Sequence, residues 1–204
     1  METVGLKYGA ECWEMPLGNA RLLTIDTSEA RDPEIVIRKA LASPLGTPLL
    51  SEICRAGERV AIVTSDITRY TGSELYLPIL VEELNHLGIQ DQNIEIIIAL
   101  GIHREQTEEE HRKILGNLYG RIAVFDHDCD DEAQLVDLGT TDSGIPVLVN
   151  RRVVEADRVI VTGTIGFHYF AGFGGGRKGL VPGVASRETC MASHFAVFNP
   201  PEVG

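Results

Sequence analysis

Two stretches constrain the fold of this chain more than any others. RVAIVT, Arg59 to Thr64, and NIEIIIAL, Asn93 to Leu100, are short runs rich in β-branched residues. They lack the polar alternation of a half-exposed strand, so both faces must be covered, which is the condition of a parallel sheet. Each run leads into a polar loop and then an amphipathic segment. SDITRYTG precedes a predicted helix from Ser73 to Leu87, with Leu75, Ile79, Leu80, Leu84 and Leu87 along one side and Gly88 after it. GIHREQ precedes TEEEHRKIL, where Thr107 and Glu110 form a capping box and Gly116 ends the helix. Strand, loop and helix in repetition predict an α/β fold with a mainly parallel sheet. In such sheets the loops at the carboxyl ends of the strands carry the ligand groups.

The rest of the chain extends this plan. Arg121 to Phe125 and RVVEADRVIVT, Arg152 to Thr162, read as further strands, with a loop and shorter extended pieces between them. Residues 1–18 read as a short hairpin or an irregular lead-in, and RLLTIDT, Arg21 to Thr27, as a strand. Asp32 and Pro33 are an N-cap and a first helical residue, with Ile35, Val36, Ala40 and Leu41 as the apolar face and Ser43-Pro44 as the stop. Pro48 opens a second short helix, and Ser186 caps a last one that presents His194. The expected architecture is a Rossmann-like, mainly parallel sheet with helices on both faces.

One stretch has no packing rationale. FHYFAGFGGGRKGLVPGVA, Phe167 to Ala185, joins His168, a cluster of glycines, Arg177 and Lys178. Glycine lets backbone N–H groups approach an anion closely, the basic pair adds charge, and histidine exchanges protons near neutral pH. These residues suggest a phosphate-bearing ligand over a catalytic histidine. Gly174 to Gly179 formally matches G-x-G-x-x-G, but no acidic residue stands about twenty positions on. The G-x-x-x-x-G-K-[ST] pattern fails too, since Gly179 follows Lys178.

A formal charge of −12 argues against broad nucleic-acid or anionic-membrane partners, so an anion site must be local. With no membrane-length apolar run and no secretory leader at the start, the expectation is a cytoplasmic protein. Cys12, Cys54, Cys129 and Cys190 form no C-x-x-C pair and read as free, mostly buried thiols, although Cys190 and His194 would share a helix face as a metal pair.

Of the six histidines, His86, His111 and His127 have surroundings that read as structural or solvated. His103 and His168 occupy glycine-flanked loops at strand ends and are the candidate acid/bases. Arg69 suits a carboxylate clamp, because its planar fork matches two oxygens. Asp66 has three roles open to it: orienting a histidine, pairing with Arg69, or capping the following helix.

In order and approximate spacing, SDITR, ALGIHR, HYFAGFGGGRKGLVPGVAS and the Ser193-His194 pair resemble the N-terminal domain of the nickel-pincer-nucleotide lactate racemase family. The resemblance spans Ser65 to His194 and implies a racemase or epimerase of a lactate-like 2-hydroxy acid. It also implies a nickel-pincer nucleotide, pyridinium-3,5-bisthiocarboxylic acid mononucleotide nickel, tethered covalently to Lys178 and made by cofactor-synthesis proteins. Gly174, Gly175, Gly176 and Arg177 fall in the cofactor-binding motif, and His194 matches the family's nickel ligand, in keeping with nickel's affinity for imidazole and soft sulfur. His103 and His168 match two opposed bases that serve a flat ketoacid from either face after its C2 hydride has passed to the cofactor. Arg69 matches the substrate-carboxylate residue, with Asp66 in the same motif.

Tyr70 and Glu105 depart from the pattern, where proline is expected. Family members are also roughly twice this length, so the whole of 1–204 reads as the N-terminal cofactor-bearing domain only. On its own it is expected to turn over weakly or not at all. The competing readings are a non-catalytic phosphate- or nucleotide-binding module that lost its C-terminal domain, and a phosphoryl- or acyl-transfer enzyme.

Overall fold

A computed structural model of the chain describes residues 3–23, 31–168 and 171–196. The chain divides into two compact units, Met1–Arg31 and Asp32–Gly204. In the first, β1 (Thr3–Tyr8) and β2 (Glu11–Pro16) form an antiparallel hairpin, with Leu6 opposite Trp13 and the Tyr8 and Trp13 rings in contact. The strand expected at Arg21–Thr27 is not seen at Arg21–Leu23, and the remainder of it lies outside the described residues.

The second unit opens with α1 (Pro33–Ala42), capped by the Asp32 carboxylate on the Glu34 and Ile35 amides. Its expected apolar face is corrected: Ile35 is 66% and Val36 44% exposed, and Leu41 alone of the four packs against the core. The helix is held partly by charge instead, since Arg38 reaches both Glu34 and Glu82. A single turn, α2 (Leu50–Ile53), follows.

β3 (Val60–Ser65), β4 (Ile94–Ala99), β5 (Ala123–Asp126) and a strand at Arg158–Val161 form one parallel sheet, in the order β5-β4-β3-(158–161). Ile62, Val63, Ile96, Ile97 and Ile98 are wholly buried, each removing enough apolar surface to contribute about 2 kcal/mol. One face is covered by α3 (Ser73–His86) and α4 (Glu108–Leu115), the latter with the expected Thr107–Glu110 capping box. The expected α3 face is seen at Ile79, Leu80, Leu84 and Leu87 and fails only at Leu75. Leu75 is exposed at the first turn, and Leu77 and Val81 extend the buried face.

Between β5 and the last sheet strand the chain forms an antiparallel pair, β6 (Leu135–Thr140) with β7 (Pro146–Asn150), then one turn, α5 (Arg151–Val154). The expected strand from Arg152 to Thr162 is therefore only its second half, β8 (Arg158–Val161). Asn150 caps the Arg152 amide, and the turn sends Val153 into the core on the other sheet face, which Val149, Val184 and Leu180 also cover. A short pair, β9 (Phe167–His168) and β10 (Gly172–Phe173), precedes a 3-10 turn at Gly176–Gly179 and α6 (Arg187–Phe195), capped by Ser186. No helix among the described residues is long and apolar enough to cross a membrane.

The strand order has a switch point. From β3 the chain steps outward through β4 to β5, then returns to β8 on the other side of β3. Ligands of open α/β sheets bind outside the carboxyl ends of the strands at such a point.

Candidate functional site

The loops after β3, β4 and β8 meet at that end of the sheet. They line a cleft of about 370 Å³ that includes Asp66, Arg69, His103, His168 and Lys178. An adjoining lobe of about 360 Å³ shares Arg69, His103, His168 and Lys178 and adds Cys190 and His194 from α6. A further cleft, at the opposite end of β3, holds Arg59 and Arg152, whose charges are matched by Asp157 and Glu95.

Asp66 performs two of its three anticipated roles. Its carboxylate is 1% exposed and accepts from the Arg69 amide at 3.0 Å, capping the turn Ile67–Arg69, and from the Thr68 hydroxyl at 2.7 Å. Its other oxygen is hydrogen-bonded to His103 Nδ1. A carboxylate only accepts, so Nδ1 carries a proton, and in the neutral ring Nε2 is the basic nitrogen. The anticipated Asp66–Arg69 pairing runs through the Arg69 backbone, while the guanidinium turns back to Thr68.

His168 lies on β9, its Nδ1 accepting from the Ala171 amide. Burial, with Lys178, His194 and Arg69 nearby, pushes its imidazole below the ordinary value of 6.5. Lys178 is likewise lowered, first by burial and then by Arg69. The first shift favours the neutral imidazole, and the second makes the Lys178 ammonium easier to deprotonate than a solvated lysine. His194 donates from Nδ1 to the Cys190 carbonyl at 2.7 Å, the i, i+4 geometry of α6.

The glycines place this loop against the sheet. A Cβ on Gly175, at φ +72°, would lie 2.5 Å from the Thr164 carbonyl, and one on Gly179 would lie 2.5 Å from the Val161 side chain. Gly174 and Gly175 line the cleft, whereas Gly176 and Arg177 are exposed and outside both lobes. The loop's far end is tied down by buried His127, which donates from Nε2 to the Ala185 carbonyl and accepts from Asn150 at Nδ1.

Sequence reasoning missed a second ring of residues. The Tyr76 hydroxyl accepts from Thr64 and Thr71 and donates to Thr162, so one phenol joins β3, its loop and the end of β8. Gln106 bridges the loops after β3 and β4. Nothing local distinguishes these residues in sequence, although each is a polar group beside a motif residue. Tyr70 lines the cleft, with its hydroxyl on Glu74 and Lys113 over its ring. Cys54, Cys129 and Cys190 are buried free thiols and Cys12 is an exposed one.

Fold and site together define an α/β protein whose ligand cleft lies at a topological switch point and holds two histidines, a lysine and an arginine. Residues 8–204 match the family described as the lactate racemase N-terminal domain, and the chain belongs to that family. It is 32% identical to a lactate racemase of Thermoanaerobacterium thermosaccharolyticum over 97% of this chain and 48% of that one. It is 38% identical to a lactate racemase of Lactiplantibacillus plantarum over 79% of this chain and 38% of the other. The chain thus spans about half the length, or less, of the curated relatives it matches. The structure of the T. thermosaccharolyticum lactate racemase apoprotein superposes with a TM-score of 0.83 at 32% identity, covering 98% of this chain and 48% of that one. A Thermotoga maritima crystal structure superposes at 0.66 with 26% identity, covering 83% of this chain and 43% of that one.

Proposed function

We propose that this chain is the cofactor-bearing half of a lactate-racemase-type isomerase acting on a lactate-like 2-hydroxy acid. The observation that carries the reading is the convergence of Arg69, His103, His168 and Lys178 on one cleft, from three separate loops. The donor set suits a nickel-pincer nucleotide. Lys178 has the depressed amine expected of a residue that carries a covalent tether, His194 brings an imidazole, a ligand type that suits nickel, to the adjoining lobe, and Gly174 and Gly175 bring backbone close to the cleft. When bound, that cofactor supplies the hydride acceptor.

The chain's own residues do the rest. Arg69 binds the substrate carboxylate through its fork. His103 takes the hydroxyl proton at Nε2, with Asp66 holding the ring and balancing the imidazolium. His168, kept neutral by burial and the cations around it, serves the opposite hand of the substrate. The cofactor-synthesis proteins are the partners this chemistry requires.

Intact-mass measurement of the chain produced together with those proteins tests the reading. The expected result is an adduct that a Lys178→Ala variant lacks; an unmodified Lys178 under loading conditions overturns it. In the full-length enzyme, His103→Ala and His168→Ala should each abolish racemisation, and tolerance of both would indicate a binding module instead.

A further inference from the structure

We propose that Gln106 is a positioning residue for His103, keying the loop after β4 to the loop after β3. This rests on the reading of His103 as a base. Gln106 lies three residues beyond His103, at the end of the same loop. Its side-chain oxygen accepts from the Ile67 amide at 2.9 Å, and its own amide donates to Asp126 at 2.6 Å. Asp126 ends β5, and its other oxygen is hydrogen-bonded to His111 Nε2 on α4 at 2.8 Å. Gln106 is therefore fixed from behind by one carboxylate while it reaches forward to the other loop.

The bond it makes there matters because of where Ile67 lies. Ile67 opens the 3-10 turn that Asp66 caps, and its amide is one of the donors that such a turn leaves without an internal partner. Asp66 satisfies the Arg69 amide, and Gln106 satisfies the Ile67 amide. The carboxylate gripping His103 thus hangs from a turn whose first N–H is held by the loop that carries His103. The two contacts close a ring running from His103 to Asp66, Ile67 and Gln106 and back along the chain. A side chain that only filled space at position 106 would leave the ring open, free to drift by the fraction of an ångström that proton transfer does not tolerate.

The test compares Gln106→Leu, which keeps the shape and removes the acceptor, with Gln106→Glu, which keeps an acceptor oxygen. In the 204-residue chain, amide exchange at Ile67 should accelerate about tenfold in Gln106→Leu, the loss of one hydrogen bond. The His103 ring ¹⁵N signals should depart from the single Nδ1-protonated tautomer, and Gln106→Glu should restore both. In the full-length, cofactor-loaded enzyme, Gln106→Leu should lower kcat roughly tenfold with little change in KM. Unchanged Ile67 exchange and an unchanged His103 tautomer overturn the proposal. So does a loosened loop with wild-type kcat, because the bond would then be structural only. If the loaded wild type fails to racemise any 2-hydroxy acid, the functional reading fails, while the exchange and tautomer measurements still decide whether Gln106 keys the loops.

Discussion

The two histidine-bearing loops are built on different principles. The loop after β4 is short, and His103 is held by side chains, above all the buried Asp66. The loop after β8 is long and is held by many backbone groups: Gly174 donates to Gly166, Gly183 donates to Lys178 and accepts from Gly101, and the Ala185 carbonyl accepts from His127. One histidine depends on a single buried carboxylate, the other on many small contacts and on the absence of Cβ atoms. Single substitutions should therefore break the first loop chemically and the second conformationally.

The largest effect is expected at Asp66. Asp66→Asn keeps the volume but removes the carboxylate that accepts from His103 Nδ1, and on the proposed reading of His103 as a base, racemisation by the loaded full-length enzyme should fall roughly hundredfold or more by polarimetry. A near-normal rate would mean that His103 does not depend on the carboxylate. Gly175→Ala tests the other loop. Its Cβ would strike the Thr164 carbonyl from a left-handed backbone conformation, and denaturant titration should show a loss of about 2 kcal/mol. A smaller loss would mean that the loop yields easily.

His127 sharpens the contrast through pH. Burial lowers its pKa from 6.5, so the folded state binds its proton less readily than the unfolded chain. Its contribution to stability is present above about pH 6.5 and is lost as pH falls from there through the folded value. The melting temperature should drop on acidification across that window, and less steeply in His127→Gln. The smallest effect is at His168, whose NMR titration midpoint should lie below 6.5 and move up in Lys178→Met, where a nearby cation is removed. No movement would place Lys178 too far away to matter.

Much of this was legible in the chain. The parallel strands announced themselves as uninterrupted β-branched runs, and caps such as Asp32, Thr107 and Ser186 marked helix starts because their hydrogen bonds are local. Asp66, Arg69, His103, His168 and Lys178 could be singled out in advance from residue type and loop position, and they line one cleft, while His194, on α6, was singled out through the family resemblance and lines the adjoining lobe. Less legible were Ile35 and Val36, whose helical spacing promised a buried face that tertiary packing left exposed, and Arg151–Val154, where the Asn150 cap outweighed β-branched propensity.

The sequence by itself determined which groups are present and which loops carry them, since both depend on short-range patterns of hydrophobicity and hydrogen bonding. Only the tertiary structure decided which role Asp66 takes, that Gly176 and Arg177 lie outside the cleft, and that Tyr76 and Gln106 bind the loops together. Those contacts join residues 12 to 86 positions apart for Tyr76 with Thr64 and Thr162, and 39 apart for Gln106 with Ile67. Pairings at that separation exist only once the sheet order has brought the strand ends together.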